Sequence, residues 1–310
     1  FNILMWLILE LSGGSTDTRT LLDFGAMSPP LVSQGEYWRL FTAMFLHSGF
    51  MHILFNGLSL FIFGRIVEGI YGHIKFSLIY TLAGIFGSIA SFNINSTVVA
   101  AGASGAIFGI IGALTAYFLV NRKILGEFGR QNLTGLIMLA GINLVFGFSV
   151  QGIDNWAHIG GLAFGFILAI PISPRHHYQS TFGLAQPITY HTNSTSLLRK
   201  WYVVPTAIIL LLMALWLGIK TQPETALSYL IKAETNLTNQ EYEQAFANIG
   251  TALKIDPLEG EAYILLGQFY AELGDLNNAR KAIGHSLKAR LSESSRQEAL
   301  SLLVSFQNTD

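Results

Sequence analysis

The chain has 310 residues, of which 51% are hydrophobic and 12% are charged, and its formal net charge is −1. This hydrophobicity excludes a disordered chain, and the near-zero charge argues against a strongly basic nucleic-acid-binding protein. The sequence contains no cysteine, which excludes a disulfide scaffold, a cysteine-ligated zinc site and a thiol enzyme. The class that remains is a polytopic membrane protein with a soluble appendage.

Apolar runs predict membrane-spanning helices along the first 219 residues. The first run, residues 3–11, is too short to cross a hydrocarbon core of about 30 Å, and the sequence begins at Phe1. We expect a first span truncated at its N-terminus; a cleaved signal peptide is the alternative, although the run lacks a basic n-region. Longer runs follow near residues 50–64, 76–92, 98–120, 133–150 and 155–172. The run Trp201–Ile219 has no charge over 19 residues, so the sequence predicts six spans plus a seventh.

Lysine and arginine residues in the loops indicate the orientation of these spans. Most of those in residues 1–219 fall on one predicted side, which we expect to be cytoplasmic: Arg65, Lys75, Arg122, Lys123, Arg130, Arg175, Arg199 and Lys200. The opposite loops hold only Arg19 and Arg39, both in the long segment 12–49. With seven spans, residues 220–310 are then expected outside the cytoplasm.

Span 2 carries the first polar pair that is expensive to place in a bilayer. His52 and Asn56 are four residues apart, so they share one face of a helix. Both side chains can donate hydrogen bonds, and Asn56 does so without titrating. If this face pointed at a nucleophile, the two residues would stabilise a developing oxyanion.

Ser104 lies between Gly102 and Gly105 where span 4 is expected to begin. The first N–H groups of a helix lack helical partners, and together with the helix dipole they favour negative charge. Glycine there permits close approach of a substrate backbone. The alternative is a packing face, because small residues let membrane helices approach closely, and this face would hold Gly102, Gly105, Gly109 and Gly112.

His158 opens span 6 and is followed by Gly161 and Gly165 at helical spacing. Two glycine-lined helices can bring Ser104 and His158 together, and a neutral imidazole beside a serine hydroxyl acts as a general base and then a general acid. A packing or proton-relay role is the alternative for a lone membrane histidine. Asp154 could complete a triad, but its place at the membrane edge favours a loop carboxylate.

A metal site is the further alternative for these side chains. His47, His52 and His158 could supply three ligands, but no carboxylate lies near them in the apolar spans. We therefore expect no metal and no cofactor.

Residues 220–310, called the tail below, contain a repeat of 34 residues. Identical residues recur at this spacing in three pairs: Tyr229 and Tyr263, Ala245 and Ala279, and Ile249 and Ile283. The repeat resembles the tetratricopeptide repeat, a helix–turn–helix unit. Two units are expected at 226–259 and 260–293, with a capping helix near 294–306. A generic array of helical hairpins is the alternative, and either form would bind a protein or peptide ligand.

The combined motifs resemble the rhomboid family of intramembrane serine proteases. They are Gly102-x-Ser104-Gly105, Ala157-His158-x-x-Gly161-x-x-x-Gly165, His52-x-x-x-Asn56, Tyr37-Trp38-Arg39, and Glu68 followed by Gly72. The resemblance covers about residues 1–172. It implies a Ser–His dyad without an aspartate, in which Ser104 is the nucleophile and His158 the general base.

The resemblance also implies roles for the surrounding residues. His52, Asn56 and the backbone N–H of Ser104 would form the oxyanion hole. Phe108 matches a position whose aromatic ring packs on the histidine. The other supporting residues would be Gly102, Gly105, Gly161, Gly165, Arg39 and Glu68, of which Arg39 and Glu68 would be structural.

The predicted fold class is all-α: a polytopic helical membrane bundle followed by a small helical repeat domain. We expect a six-span catalytic core at 1–172, a cytoplasmic linker at 173–200, the seventh membrane helix at 201–219 and the repeat domain at 220–310. The expected function is an intramembrane serine endopeptidase, a hydrolase of the bacterial plasma membrane that cleaves single-span membrane proteins. The expected partners are these substrates, the lipid bilayer and a ligand of the tail, without nucleic acid.

Two other functions stay open at this point. One is a catalytically inactive rhomboid-like protein that binds membrane clients, although both motif halves are intact. The other is a transporter with polar groups at the bilayer midplane; the spans show no paired broken helices, and the polar residues cluster near one membrane face.

Overall fold

A computed structural model describes residues 1–150, 152–178, 190–193 and 196–307 of the chain. The N-terminal part consists of an apolar helix and a long first loop with short helical turns. These elements are α1 (Asn2–Ser12), α2 (Thr18–Asp23), α3 (Pro29–Ser33), α4 (Arg39–Thr42) and the 3₁₀ turn Ala43–Phe45. Asp17 caps α2 by accepting a hydrogen bond from the backbone N–H of Thr20 at 2.8 Å.

Helices of the membrane bundle follow. They are α5 (Phe50–Ser59), which continues through the π-helical segment Leu60–Gly64 into α6 (Arg65–Tyr71), then α7 (His73–Ile94), α8 (Ser104–Val120), α9 (Arg122–Ser149) and α10 (Asn155–Ile172). The last element of the bundle is α11 (Val203–Thr221), after two short strands, β1 (Arg175–Tyr178) and β2 (Tyr190–Asn193). The strands are antiparallel and form a small exception to the all-helical prediction, inside the segment 173–200 predicted as a linker. Residues 179–189 and 194–195 of that segment lie outside the described residues.

Five helices in the described part of the chain are long and apolar enough to cross a membrane: Phe50–Tyr71, His73–Ile94, Arg122–Ser149, Asn155–Ile172 and Val203–Thr221. The apolar helices α1 and α8 are shorter. The prediction of a polytopic helical bundle is therefore confirmed. The domain boundaries given above stay a prediction.

Helix α8 begins later than the apolar run that predicted it. The run starts near residue 98, but the helix starts at Ser104. Gly102 has φ +141°, a conformation that ends helical geometry on its N-terminal side. Ala100 exchanges two backbone hydrogen bonds with Met27 of the first loop, at 2.9 and 2.8 Å. Residues 100–102 therefore form an extended segment that places the start of α8 beside the first loop.

The core of the bundle lies around α8, which packs between α7 and α10. Its side chains Ile110, Ala113 and Ala116 are fully buried. Helix α9 differs, because many of its large apolar side chains, such as Ile142 and Val145, remain exposed on the described surface. Its continuity is interrupted at Gly126, where φ is +54°. A bilayer would cover such an apolar face.

Tail helices form two antiparallel pairs and a final helix. These are α12 (Ala226–Thr238) with α13 (Tyr242–Ile255), α14 (Gly260–Glu272) with α15 (Leu276–Ser286), and α16 (Glu293–Gln307). The repeat positions Ala245 and Ala279 are fully buried, and Ile249 and Ile283 are 1% and 0% exposed. The sequence repeat thus coincides with the hydrophobic seam between paired helices, and the capping helix is present where it was expected.

Candidate active site

Ser104 and His158 lie in hydrogen-bond contact. The Nε2 atom of His158 is 2.8 Å from the Oγ atom of Ser104, although the two residues are 54 positions apart in the sequence. Ser104 occupies the first turn of α8, and His158 lies in the first turn of α10. His158 is 8% exposed, whereas Ser104 is only partly buried, so the hydroxyl is the more accessible of the two groups.

Glycine on both helices allows this contact. A Cβ atom on Gly161 would collide with the carbonyl oxygen of Gly105, and one on Gly165 would collide with that of Gly109. The backbones of α8 and α10 therefore touch directly, as the predicted packing faces require. The two interpretations of the glycines, as packing residues and as functional residues, are compatible. The backbone contact between α8 and α10 also sets the distance between Ser104 and His158.

Gly102 lies between Ser104 and His52. The position that a Cβ atom would take on Gly102 is 2.8 Å from Nε2 of His52 and 3.7 Å from Oγ of Ser104. Glycine is required at position 102 for two reasons. A φ of +141° would strain any other residue, and a side chain would clash with the imidazole of His52. His52 therefore borders the same glycine as the Ser104 hydroxyl.

Asn56 is buried, one helical turn after His52. Its Nδ2 atom donates to the carbonyl oxygen of His52 at 2.9 Å, so part of the amide is bound to its own helix. The NH₂ group carries a second donor hydrogen. The structure thus holds Asn56 on the His52 face, and its second hydrogen is the one that remains for a ligand.

The ring of Phe108 stacks on the imidazole of His158, with centroids 4.3 Å apart and planes 3° from parallel. No described group hydrogen-bonds the other imidazole nitrogen, Nδ1. The orientation of His158 therefore comes from the stacked ring and from the Ser104 contact, not from a carboxylate.

Asp154 does not contact the imidazole nitrogens of His158. It is the N-cap of α10, and its Oδ1 atom accepts a hydrogen bond from the backbone N–H of Ala157 at 3.1 Å. Burial raises the pKa of this carboxyl group. Helix capping therefore accounts for a carboxylate four residues before His158, and no catalytic triad is needed to explain it.

Arg39 and Glu68 lie away from the Ser104–His158 contact. Nη1 of Arg39 donates to the carbonyl oxygens of Leu22 at 2.6 Å and Ala26 at 3.1 Å, and Nε binds Glu36 at 2.6 Å. Arg39 thus stabilises the first loop by joining its residues Leu22, Ala26 and Glu36. Glu68 contacts Nδ1 of His73 at 2.6 Å, near the opposite end of span 2 from His52.

His47 belongs to the site but was considered above only as a metal ligand. It is completely buried, and its Nε2 atom accepts a hydrogen bond from the backbone N–H of Ala103 at 3.4 Å. Its ring also meets the ring of His52 edge to face, with centroids 5.2 Å apart. His47 therefore helps to position Ala103, the residue before Ser104. The signal available in the sequence was a histidine five residues before His52, just outside the helix.

A small, partly open cavity of about 30 Å³ borders Ser104. Small residues form most of its wall, among them Gly84, Ala101, Ala106 and Ala157. The cavity also reaches Asp154. A small side chain or a few water molecules fit such a space.

Comparison with known proteins identifies two families in the chain. The Rhomboid domain family matches residues 34–175, and the Tetratricopeptide repeat family matches residues 260–292. The Putative rhomboid protease YdcA of Bacillus subtilis (strain 168) is 34% identical over 170 residues, which cover 53% of this chain and 81% of YdcA. The chain belongs to the rhomboid family.

Other rhomboid relatives extend beyond this chain. The Rhomboid protease GluP of Bacillus subtilis (strain 168) is 39% identical over 293 residues, which cover 87% of this chain and 56% of GluP. RHOMBOID-like protein 1 of Arabidopsis thaliana is 38% identical over 160 residues, or 51% of this chain and 41% of that protein. The chain thus spans about half the length of these two relatives. The GluP match includes most of the tail, so the membrane core and the tail occur together in both proteins.

Proposed function

We propose that this rhomboid chain is an intramembrane serine endopeptidase that cleaves single-span membrane proteins within or near their membrane helix. The observation that carries the proposal is the 2.8 Å contact between Nε2 of His158 and Oγ of Ser104. A serine hydroxyl activated by an adjacent base is the arrangement that nucleophilic catalysis requires. The name of the relative Rhomboid protease GluP supports the same activity.

In the proposed reaction, Oγ of Ser104 attacks the carbonyl carbon of the scissile peptide while Nε2 of His158 takes the hydroxyl proton. The tetrahedral intermediate then collapses, the C–N bond breaks, and His158 gives the proton to the leaving amine nitrogen. A water molecule, deprotonated by His158, then attacks the acyl carbon of the acyl-enzyme. The bond from this carbon to Oγ of Ser104 breaks, His158 returns the proton to Oγ, and the product leaves with a new carboxyl group. The dyad is chemically sufficient because stacking on Phe108 can fix the imidazole orientation that an aspartate fixes in a triad.

The oxyanion of the intermediate would lie at the start of α8. The backbone N–H groups of Ser104 and Gly105 have no helical acceptor there, and the helix dipole favours negative charge at this end. His52 borders Gly102 at the same point. The second amide hydrogen of Asn56 would complete the set of donors. These fixed donors would act in a site with little water, where electrostatic stabilisation is strongest.

Access to water and substrate follows from the depth of the site. Ser104, His158 and His52 all lie in the first turns of their helices, so they share one membrane face. A substrate helix must unwind before attack, because its carbonyl groups are otherwise engaged inside the helix. The small-residue cavity beside Ser104 supports a preference for a small side chain next to the cut. The distribution of arginine and lysine supports an extracytoplasmic site and tail. The relatives GluP and YdcA, both from Bacillus subtilis (strain 168), support a bacterial plasma membrane as the location.

Purified full-length protein, mixed with a single-span test substrate, tests the proposal. We expect cleavage by the wild type and a loss of at least roughly 10³-fold in Ser104→Ala, because the nucleophile is removed. Thermal unfolding of both proteins is the control, since removal of one hydroxyl should leave the bundle intact. Equal cleavage by both proteins would refute the serine mechanism. Binding of the substrate without cleavage by either protein would favour the inactive client-binding function.

A further inference from the structure

The tail contacts the first loop of the membrane core. Arg19 of α2 forms an ion pair with Glu298 of α16, across 279 positions of sequence. The hydroxyl of Ser294 donates to Oδ2 of Asp17 at 3.1 Å. Glu298 is itself held by Nε2 of Gln268, which donates to Oε1 at 3.3 Å. The N-terminal part of α2 thus contacts polar side chains of α16, one of which is held by a side chain of α14.

The position of the tail on this side of the bundle is fixed by its membrane anchor. Nδ2 of Asn93 donates to the carbonyl oxygen of Ala214 at 3.1 Å, and the side chain of Gln222 hydrogen-bonds the carbonyl oxygen of Phe92. These contacts join the C-terminal end of α11 to the C-terminal end of α7, which leads directly to Ser104. The tail therefore leaves the bundle on the face where the Ser104–His158 contact lies.

A continuous series of hydrogen bonds links α2 to the segment before Ser104. The guanidinium of Arg39 binds the carbonyl oxygens at the end of α2 and after it, at Leu22 and Ala26. The next residue, Met27, exchanges two backbone hydrogen bonds with Ala100. The N–H of Gly102 donates to the carbonyl oxygen of Ala43 at 2.9 Å. These hydrogen bonds connect the first loop to residues 100–102.

We propose that the tail is a regulatory arm that holds the first loop in place and thereby sets the geometry of the segment preceding Ser104. This proposal rests on the proposed function for its readout, but the docking contact can be tested without it. The docked arm supports the competent arrangement, and its release lowers the reactivity of Ser104.

Charge reversal provides the first test. Arg19→Glu and Glu298→Arg each place like charges in contact, and the double variant restores an opposite pair. An exposed ion pair is worth about 1 kcal/mol at most, which corresponds to roughly fivefold in an equilibrium constant. We expect each single variant to lower cleavage about two- to fivefold and the double variant to recover the wild-type rate. Reversing the pair Arg290 and Asp256, which lies within the tail, is the matched control and should change cleavage less than twofold.

The labelling rate of Ser104 by a fluorophosphonate probe separates coupling from substrate recruitment. The probe is small and needs no contact with the tail. We expect labelling to fall and recover in parallel with cleavage across the charge variants. If cleavage changed while labelling stayed constant, the tail would act on substrates alone, and the proposal would be overturned.

Cysteine cross-linking tests the contact itself, since the natural sequence has no cysteine. Arg19→Cys combined with Glu298→Cys removes the ion pair, and a short bifunctional thiol reagent should join the two positions and restore labelling of Ser104. Arg19→Cys combined with Lys281→Cys, on the exposed face of α15, is the control that should not cross-link. Absence of cross-linking in the first pair would overturn the docking. If the wild type cleaved no substrate, the proposed function would fail, but the yield of cross-linked protein would still decide whether the tail docks.

Discussion

Buried glycines have different neighbours at one helix pair of the membrane bundle, α8 with α10, and at one helix pair of the tail, α14 with α15. In the bundle, the missing side chains of Gly161 and Gly165 make room for backbone carbonyl oxygens of α8. In the tail, the missing side chain of Gly267 makes room for the end of the Ile283 side chain, whose Cδ1 atom lies 2.6 Å from the Cβ position. Helices α8 and α10 thus touch through their backbones, whereas α14 and α15 touch at Gly267 through a side chain.

The surrounding solvent explains this difference. Lipid chains are as apolar as leucine, so membrane helices gain little from burying large side chains and associate through close packing. The tail is surrounded by water, so burying Ile249 and Ile283 stabilises it by the hydrophobic effect, by about 1.5–3 kcal/mol per side chain. Backbone contact is also the more rigid arrangement. Rigidity matters in the bundle, because the distance from Ser104 to His158 depends on how closely α8 and α10 approach.

Gly161→Ala should produce the largest effect among the variants that test this comparison. The new methyl group meets the carbonyl oxygen of Gly105, which cannot move without shifting a helix. We expect the free energy of unfolding to fall by about 1–3 kcal/mol and cleavage to fall roughly 10-fold or more, because Ser104 and His158 separate. Thermal unfolding in detergent and the cleavage assay measure the two effects.

Gly141→Ala is the matched control for that variant. Gly141 lies on the membrane helix α9, and nothing lies within 4 Å of its Cβ position. Alanine is favoured over glycine in a helix by about 1 kcal/mol, so stability should be unchanged or slightly higher. A wild-type cleavage rate in Gly161→Ala would show that backbone contact between α8 and α10 is unnecessary.

The second difference between the two regions is the placement of their titratable groups. His47 of the core is fully buried, and burial lowers its pKa to about 4. In the tail, the exposed Asp256 has its pKa lowered by its hydrogen bond with Arg290. A pKa that is lower in the folded state means that the unfolded state binds the proton more readily. The contribution of each group to the free energy of unfolding therefore decreases as the pH falls. The windows differ: roughly pH 6.5 to 4 for His47, and below about pH 4 for Asp256.

Acidification from pH 7 to pH 5 should therefore destabilise the bundle before the tail. We expect a loss of up to about 2 kcal/mol in the core over this interval, with a smaller slope in His47→Gln. Glutamine keeps a hydrogen-bond acceptor for the N–H of Ala103 but does not titrate. Hydrogen–deuterium exchange, read separately for residues 104–120 and 260–286, distinguishes the two regions. Equal slopes in the wild type and in His47→Gln would remove His47 as the cause.

Some of this architecture could be predicted from sequence because the signals are local and periodic. Glycine spacing on two helices predicted that Ser104 and His158 would meet, and the period of 34 residues predicted the buried seam of the tail. Phe108 lies one turn after Ser104, so a stacked ring on His158 required only helical geometry. Such features depend on one helix or on one pair of helices.

Other features depend on contacts between distant segments, which spacing does not reveal. The apolar residues 98–103 were expected in a helix, but hydrogen bonds from the first loop hold Ala100 in an extended conformation. His47 was not assigned its role in positioning Ala103, because its partner is a backbone N–H 56 residues away. Docking of α16 on α2 combines two charged residues that are ordinary surface residues in their own helices. Each of these features arises only when the chain has folded.

Gly267→Ala should have the smallest effect and completes the comparison. The added methyl group meets the end of the Ile283 side chain, which can rotate, and the gain in helix propensity offsets the crowding. We expect the stability of the tail to change by less than about 1 kcal/mol, measured by hydrogen–deuterium exchange over α14 and α15. Cleavage should stay within about twofold of wild type, since tail helices that shift slightly against each other still present Glu298 to Arg19. A destabilisation as large as that of Gly161→Ala would mean that glycine has the same packing role in both regions, and that surrounding lipid or water does not determine how these helices meet.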